Sequence, residues 1–287
     1  MEYVIEVEEV VKDYGDFKLD NISFQVEKGC ICGFVGQNGS GKTTTIQLLM
    51  DVIKKDSGLI KIFGQNVVNN IDFKKDVGIV FDEMGFHEFM TPMEISKMMS
   101  YIYVNWDEDK FIELIKRLGL PTKKKCGTFS RGMRMKLQIA VAMSHHAKLL
   151  ILDEPTSGLD PIVRNEILTL FQEYIVDEEH TILLSSHITS DLERIADHIV
   201  FINAGKIVLS GAKDIILEEH GILRCKKSEL DKIDKEDIVS TMRSSVCVEV
   251  LVSDRKLCEK KYKENPIDTA SLDEIMLFYV NKRSEIE

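Results

Sequence analysis

The segment Gly36-Gln37-Asn38-Gly39-Ser40-Gly41-Lys42-Thr43-Thr44 has the residue types that hold a polyphosphate, at the spacing G-x-x-x-x-G-K-[ST]. Gly36, Gly39 and Gly41 let the backbone turn tightly and bring consecutive N–H groups up to phosphate oxygens, with no Cβ in the way. Lys42 supplies a point charge for the β- and γ-phosphates, and the Thr43 hydroxyl is placed to ligate Mg²⁺. Asn38, Ser40 and Thr44 belong to the same nucleotide-binding set. A second group of chemistry ends the run Leu149-Leu150-Ile151-Leu152-Asp153-Glu154. Asp153 is expected to hold Mg²⁺ with Thr43, and Glu154 to act as base for a water attacking the γ-phosphate. His187 closes another apolar run, Thr181 to Ser186, and is expected to contact that phosphate. Ser130, in Phe129-Ser130-Arg131-Gly132-Met133, is placed to cap a helix whose free N–H groups suit an anion.

These residues need a particular frame. Ile31 to Val35 reads as a short buried strand before the loop, and Thr44 to Met50 as a helix whose N-terminus faces the anion. Four apolar residues ending in acids describe a strand buried on both faces that delivers carboxylates at a sheet edge. The fold expected is therefore α/β, a P-loop core with a parallel sheet. Residues 3–10 and 19–27 read as strands around a turn at 12–16, where Tyr14 lies on a loop able to return over the phosphates and stack on a base. Further strands are expected at 58–64, 77–81, 199–202 and 207–209, with helices over 107–119, 133–146 and 162–176. Between Met84 and Trp106, methionines and aromatics crowd a segment suited both to a small helical core and to a binding surface. Beyond residue 220 a charge-rich stretch, a strand at Val246–Val252 and a helix at Leu272–Val280 form a small α/β appendage.

At 287 residues the chain has room for one large domain and a small addition. Hydrophobic content of 44% and charged content of 30% are ordinary for a globular protein. A net charge of −11 argues against coating nucleic acid, so no nucleic-acid partner is expected. No apolar run reaches the ~18 residues that span a bilayer, and Met1-Glu2-Tyr3 does not begin a signal peptide. Any membrane process must then use another subunit for the spanning. The six cysteines (30, 32, 126, 225, 247, 258) contain no C-x-x-C pair and read as reduced thiols of a cytosolic protein.

Taken together, the ordered motifs resemble the nucleotide-binding subunit of an ATP-binding cassette (ABC) transporter over about residues 1–220. They are Walker A (36–44), a signature (129–133), Walker B with its glutamate (149–154), a D-loop Ser157-Gly158-Leu159-Asp160, and His187 as the switch histidine. The resemblance implies an antiparallel β subdomain and a helical subdomain over about 85–145, and the change of character beyond it sets off an accessory domain over 221–287. It implies ATP and Mg²⁺ as ligands, and head-to-tail pairing with a second copy or a paralogous ATPase. Tyr14 would stack on adenine; Ser130, Arg131, Gly132 and Met133 would face the triphosphate in trans, with Asp160 nearby. A separate permease would dock near residues 82–106, holding the chain peripherally at the inner face of the cell membrane.

Two departures stand out. The family's LSGGQ signature reads Phe-Ser-Arg-Gly-Met here, so Arg131 either contacts nucleotide or lies outward. The Q-loop glutamine position is Asp82, a carboxylate able to ligate Mg²⁺ but not to donate a hydrogen bond. The signature, Gln37 and the appendage also resemble Gram-positive exporters of antibiotics and amphipathic peptides, of the bacitracin, lantibiotic-immunity and phenol-soluble-modulin types. An importer ATPase and a soluble non-transport ABC ATPase are the alternative readings.

Overall fold

The computed structural model describes residues 2–83, 85–243 and 247–284. The expected contributions of Met84 and Val246 lie outside the described residues. An N-terminal hairpin pairs β1 (Tyr3–Asp13) with β2 (Lys18–Glu27), and the chain then enters β3 (Ile31–Val35) and α1 (Lys42–Leu49). Strands β4 (Ser57–Ile62) and β5 (Gln65–Asn66) return to the hairpin, giving an antiparallel sheet of order β2-β1-β4-β5. After β6 (Val77–Val80) come α2 (Pro92–Ile102), α3 (Glu108–Arg117) and α4 (Arg131–Met143), within the stretch expected to be helical.

The central sheet is completed by β7 (Leu149–Asp153), α5 (Pro161–Tyr174), β8 (Thr181–Ser186), α6 (Thr189–Ile195), β9 (His198–Asn203) and β10 (Lys206–Ala212). Its order is β10-β9-β3-β8-β7-β6, parallel except for the β9–β10 hairpin. Alternate residues of each inner strand enter opposite cores. Cys32, Phe34, Leu149, Ile151 and Leu183 pack with α1 and the antiparallel sheet. Ile31, Val35, Leu150, Leu152 and Leu184 pack under the helices of the other face. Burial of both faces explains why these strands read as unbroken apolar runs.

Helix α7 (Lys213–Glu219) leads to a third sheet of β11 (Gly221–Cys225), β12 (Ile238–Arg243), β13 (Val248–Val252), and, after α8 (Arg255–Lys261), β14 (Ile267–Thr269). The last helix, α9 (Leu272–Ser284), turns back onto the central sheet. Leu272, Ile275 and Phe278 are fully buried in the same cluster as Ile199 and Phe201 of β9. Burying one such aromatic stabilises by about 1.5–3 kcal/mol, so α9 is held firmly against the core. Among the described residues no helix is long and apolar enough to cross a membrane.

The strands meet the sequence expectations with shifted ends. β1 runs past residue 10 to Asp13, into the start of the turn expected at 12–16, because bulges near Glu9 (φ 49°) let pairing resume from Val10 to Asp13. α4 begins at Arg131 rather than 133, immediately after its Ser130 cap. β5, β11, β12, β14, α6, α7 and α8 have no counterpart among the sequence expectations.

Candidate functional site

Parallel pairing brings the C-terminal ends of β3, β6, β7 and β8 level, with Val80 opposite Leu152, Asp153 opposite Ser185 and Val35 opposite Ser186. The chemistry therefore collects at one sheet edge, where ligands bind in open α/β folds. The loop after β3 is built around close approach. A Cβ on Gly36 would stand 2.4 Å from the Ile202 carbonyl oxygen and 2.5 Å from Ser40 Oγ. Gly41 caps α1 at φ 113°, a conformation that side chains rarely adopt.

Lys42 is 6% exposed and folds back over the loop. Its Nζ donates to the carbonyls of Gly36 (2.7 Å) and Gln37 (3.2 Å) and lies 3.2 Å from Glu154 Oε1. Oε1 is thus a buried acceptor with an ion-pair neighbour but no hydrogen-bond partner. Ser40 Oγ is likewise buried without a partner. The other oxygen of Glu154, Oε2, lies 2.7 Å from His187 Nδ1. Glu154 itself sits at φ 52°, its N–H bonded to the Ser185 carbonyl at 3.1 Å. Strain of this kind clusters at functional sites.

Asp153 is 3% exposed, and both its oxygens are engaged: Thr43 Oγ1 donates to Oδ2 at 2.8 Å and Ser185 Oγ to Oδ1 at 2.9 Å. Among the described residues no three His, Cys, Asp or Glu side chains gather as a closed metal cage. Thr43 and Asp153 instead offer two hard oxygens side by side. That partial set suits Mg²⁺, which retains waters and shares phosphate oxygens rather than filling an all-protein site. A cavity of about 540 Å³ opens above, walled by Phe17, Asn38, Gly39, Gly41, Lys42, Thr43, Thr44, Asp82, Asp153 and Glu154.

Tyr14 is 52% exposed with Lys12 Nζ 5.3 Å above its ring, and it does not wall that cavity. The aromatic wall is Phe17, three residues on, whose ring lies against Gly41. Asp82 does reach the cavity, but its Oδ1 accepts from Arg131 Nη2 at 2.6 Å, so the carboxylate expected to ligate metal is engaged by the signature arginine. Ser130 Oγ accepts from the Met133 N–H at 3.3 Å, the expected cap, while the Met133 side chain packs into the core. Gly132 lies against Val163 and Leu159, and Asp160 caps α5 by accepting from Ile162 and Val163. The Ser130 helix tip is not among the walls of the phosphate-loop cavity.

Other contacts carried no sequence signal. Ser185 holds Asp153 from the neighbouring strand. Asp191, buried on α6, accepts from Thr156 (2.7 Å) and Arg164 (2.6 Å), fixing the turn after Glu154 to α5. A smaller cavity of about 260 Å³ between Gly36, Asn38 and His187 has Asp273, Met276 and Val280 of α9 as its other wall.

Residues 19–157 match the family model described as ABC transporter. The bacitracin transport ATP-binding protein BcrA of Bacillus licheniformis is 39% identical over 212 residues, 72% of this chain and 69% of the relative. The lantibiotic transport ATP-binding protein SrtF of Streptococcus pyogenes is 33% identical over 214 residues, 74% of this chain and 92% of the relative. Among solved structures, cbiO1 from Clostridium perfringens, part of the ABC transporter complex cbiONQ, superposes with a TM-score of 0.63 at 26% identity. That match covers 74% of this chain and 89% of cbiO1. The chain belongs to the ABC transporter ATP-binding proteins and is the ATP-hydrolysing subunit of such a transporter.

Proposed function

We propose that two copies, or this chain and a paralogue, pair head to tail so that each ATP lies between one chain's Gly36–Thr44 loop and the other's Ser130 helix tip. The observation that carries the hydrolytic part of this reading is the position of Glu154, joined to Lys42 on one side and His187 on the other at the end of β7. Lys42 is drawn to an arriving γ-phosphate and leaves Glu154 Oε1 able to accept a proton from water. His187 Nδ1 orients the carboxylate through Oε2 and stays within reach of the phosphate. Thr43 and Asp153 would hold Mg²⁺, which when bound neutralises charge on the β- and γ-phosphate oxygens. Phe17 offers an aromatic wall to the nucleotide, with Tyr14 on the same turn. Closure excludes water and couples hydrolysis to motion.

The partner expected is a separate membrane permease, docking near residues 82–106 at the inner face of the membrane. Phe89 and Tyr101, 69% and 80% exposed, support a docking surface there, while Phe86, Met90, Met99 and Trp106 pack inward. The relatives' names, bacitracin and lantibiotic transport, support export of an antimicrobial or amphipathic peptide. Residues 221–287 are proposed as an accessory domain beginning where the third sheet begins.

Glu154→Gln tests the mechanism. A general base contributes typically 10²–10⁴-fold, so the variant should bind ATP and associate yet lose turnover on that scale. Hydrolysis at the parent's rate refutes the assignment.

A further inference from the structure

Two of the positions at which this chain departs from the family pattern, Asp82 and Arg131, touch each other. Arg131 Nη2 donates to Asp82 Oδ1 at 2.6 Å, across 49 residues of sequence. Asp82 follows β6 and walls the phosphate-loop cavity. Arg131 is the first residue of α4, beside the Ser130 cap. Its guanidinium also lies over Gly158 in the turn after β7, where an added Cβ would stand 3.1 Å from Nη1. One cation thus joins the segment after β6, the tip of α4 and the turn that follows Glu154.

The electrostatics of that tip are unusual. The first turn of α4 holds Arg131 and Arg134 and no acid, which places cations at the positive end of a helix dipole. Arg134 is turned inward, its Nε on the Phe129 carbonyl (3.1 Å) and its Nη2 on the Gly127 carbonyl (3.2 Å). Arg131 instead takes a carboxylate from a different element. Both members of that pair are half exposed, 51% and 50%, so the bond is weak and open to exchange. A triphosphate presents several charged acceptors to a planar guanidinium and is the stronger partner.

We propose that Asp82 is a positioning residue for Arg131. In the structure it holds the guanidinium beside the helix tip. On closure Arg131 leaves Asp82 for the triphosphate seated in a second copy's loop. The inference rests on the composite-site reading above and adds to it an exchange of one anion for another as the step of closure.

The test uses the full chain carrying Glu154→Gln to suppress turnover, with ATP-dependent association read by sedimentation and folding checked by thermal melting. Arg131→Ala should weaken association on the order of tenfold, the loss of one charge-assisted contact per site, and Arg131→Lys should recover part of it. Asp82→Asn should strengthen association several-fold, because Arg131 then breaks only a weaker bond to an uncharged amide oxygen to engage ATP. In the Arg131→Ala background Asp82→Asn should change nothing further. Asp82→Ala carries the same expectations if the asparagine variant melts early. An Asp82→Asn chain that associates no better than its parent overturns the proposal. So does one that gains equally without Arg131, which would report general relief of negative charge near the nucleotide. If the parent melts normally yet fails to associate with ATP, the composite site itself falls, and the exchange with it.

Discussion

Replacing Asp153 with asparagine separates a metal ligand from a structural carboxylate. In the structure Oδ2 accepts from Thr43 and Oδ1 from Ser185, at 2.8 and 2.9 Å, and the group is nearly inaccessible to solvent. A hydrogen bond to a charged group contributes about 1.5–3 kcal/mol against about 0.5–1.5 for a neutral one. An asparagine amide can accept from one hydroxyl and donate to the other, since hydroxyls rotate. Both contacts then persist in neutral form, at a loss of about 2 kcal/mol. Removing a buried charge offsets part of that loss, leaving a net cost of about 1 kcal/mol. For a chain of this size the melting temperature should fall by about 2–4 °C. Metal affinity should suffer far more, because an amide oxygen has no formal charge for a hard cation. Even groups one step removed from a metal cost about 10–100-fold when altered, so a direct ligand should cost at least that. The assay is ATP turnover titrated with Mg²⁺, beside calorimetric melting. The account predicts a nearly intact melt and a half-saturating Mg²⁺ concentration raised at least tenfold. A variant with the parent's Mg²⁺ dependence refutes it; so does a melting point lowered beyond about 10 °C, which would make Asp153 chiefly structural.

Two further outcomes follow from packing and titration. Phe278→Ala empties a fully buried site under α9 and should destabilise the chain by about 3–5 kcal/mol in denaturant unfolding; a cost below about 1 kcal/mol would mean α9 is not docked as described. His145 is buried, and although its ring nitrogens face the carbonyls of Val141 and Val77, desolvation holds its pKa below the ordinary value. The unfolded chain takes up that proton near pH 6.5 and the folded chain resists until lower pH, so stability falls as pH drops below about 6.5. His145→Gln should shallow that fall; His220, buried with its pKa lowered in the same way, accounts for part of what remains. An unchanged slope would contradict the assignment.

Much of the site was legible because Asp153, Glu154 and His187 close apolar runs and Lys42 and Thr43 follow one by way of a glycine-rich loop, and parallel pairing turns those sequence positions into a common edge. Lys42, Thr43, Asp153, Glu154 and His187 meet for this reason. Tyr14 and Phe17 show the limit of such reading. They flank the same turn, and pairing of Asp13 with Lys18 together with packing near Leu19 and Gly41 decides which ring reaches the cavity. The Asp82–Arg131 bond carried no local signal, since the partners lie on separate elements. Nor did the approach of α9 to Gly36 and His187 from the far end of the chain. The helices Thr189–Ile195 and Lys213–Glu219 span seven residues each, too short for a 3.6-residue period to stand out. β11 was missed because its apolar residues abut a charge-rich stretch and carry no turn signal of their own.

The composite nature of the site is tested most directly by mixing two inactive chains. Lys42→Ala removes the phosphate-loop charge from one, and Ser130→Arg blocks the helix tip of the other. Each alone should hydrolyse almost no ATP. Mixed in equal amounts, half of randomly formed pairs contain one of each, and one of their two sites is intact, so activity should return to about a quarter of the parent's in a two-fold symmetric pairing. A mixture as inactive as its components, or a Ser130→Arg chain fully active by itself, would contradict a triphosphate held between two copies.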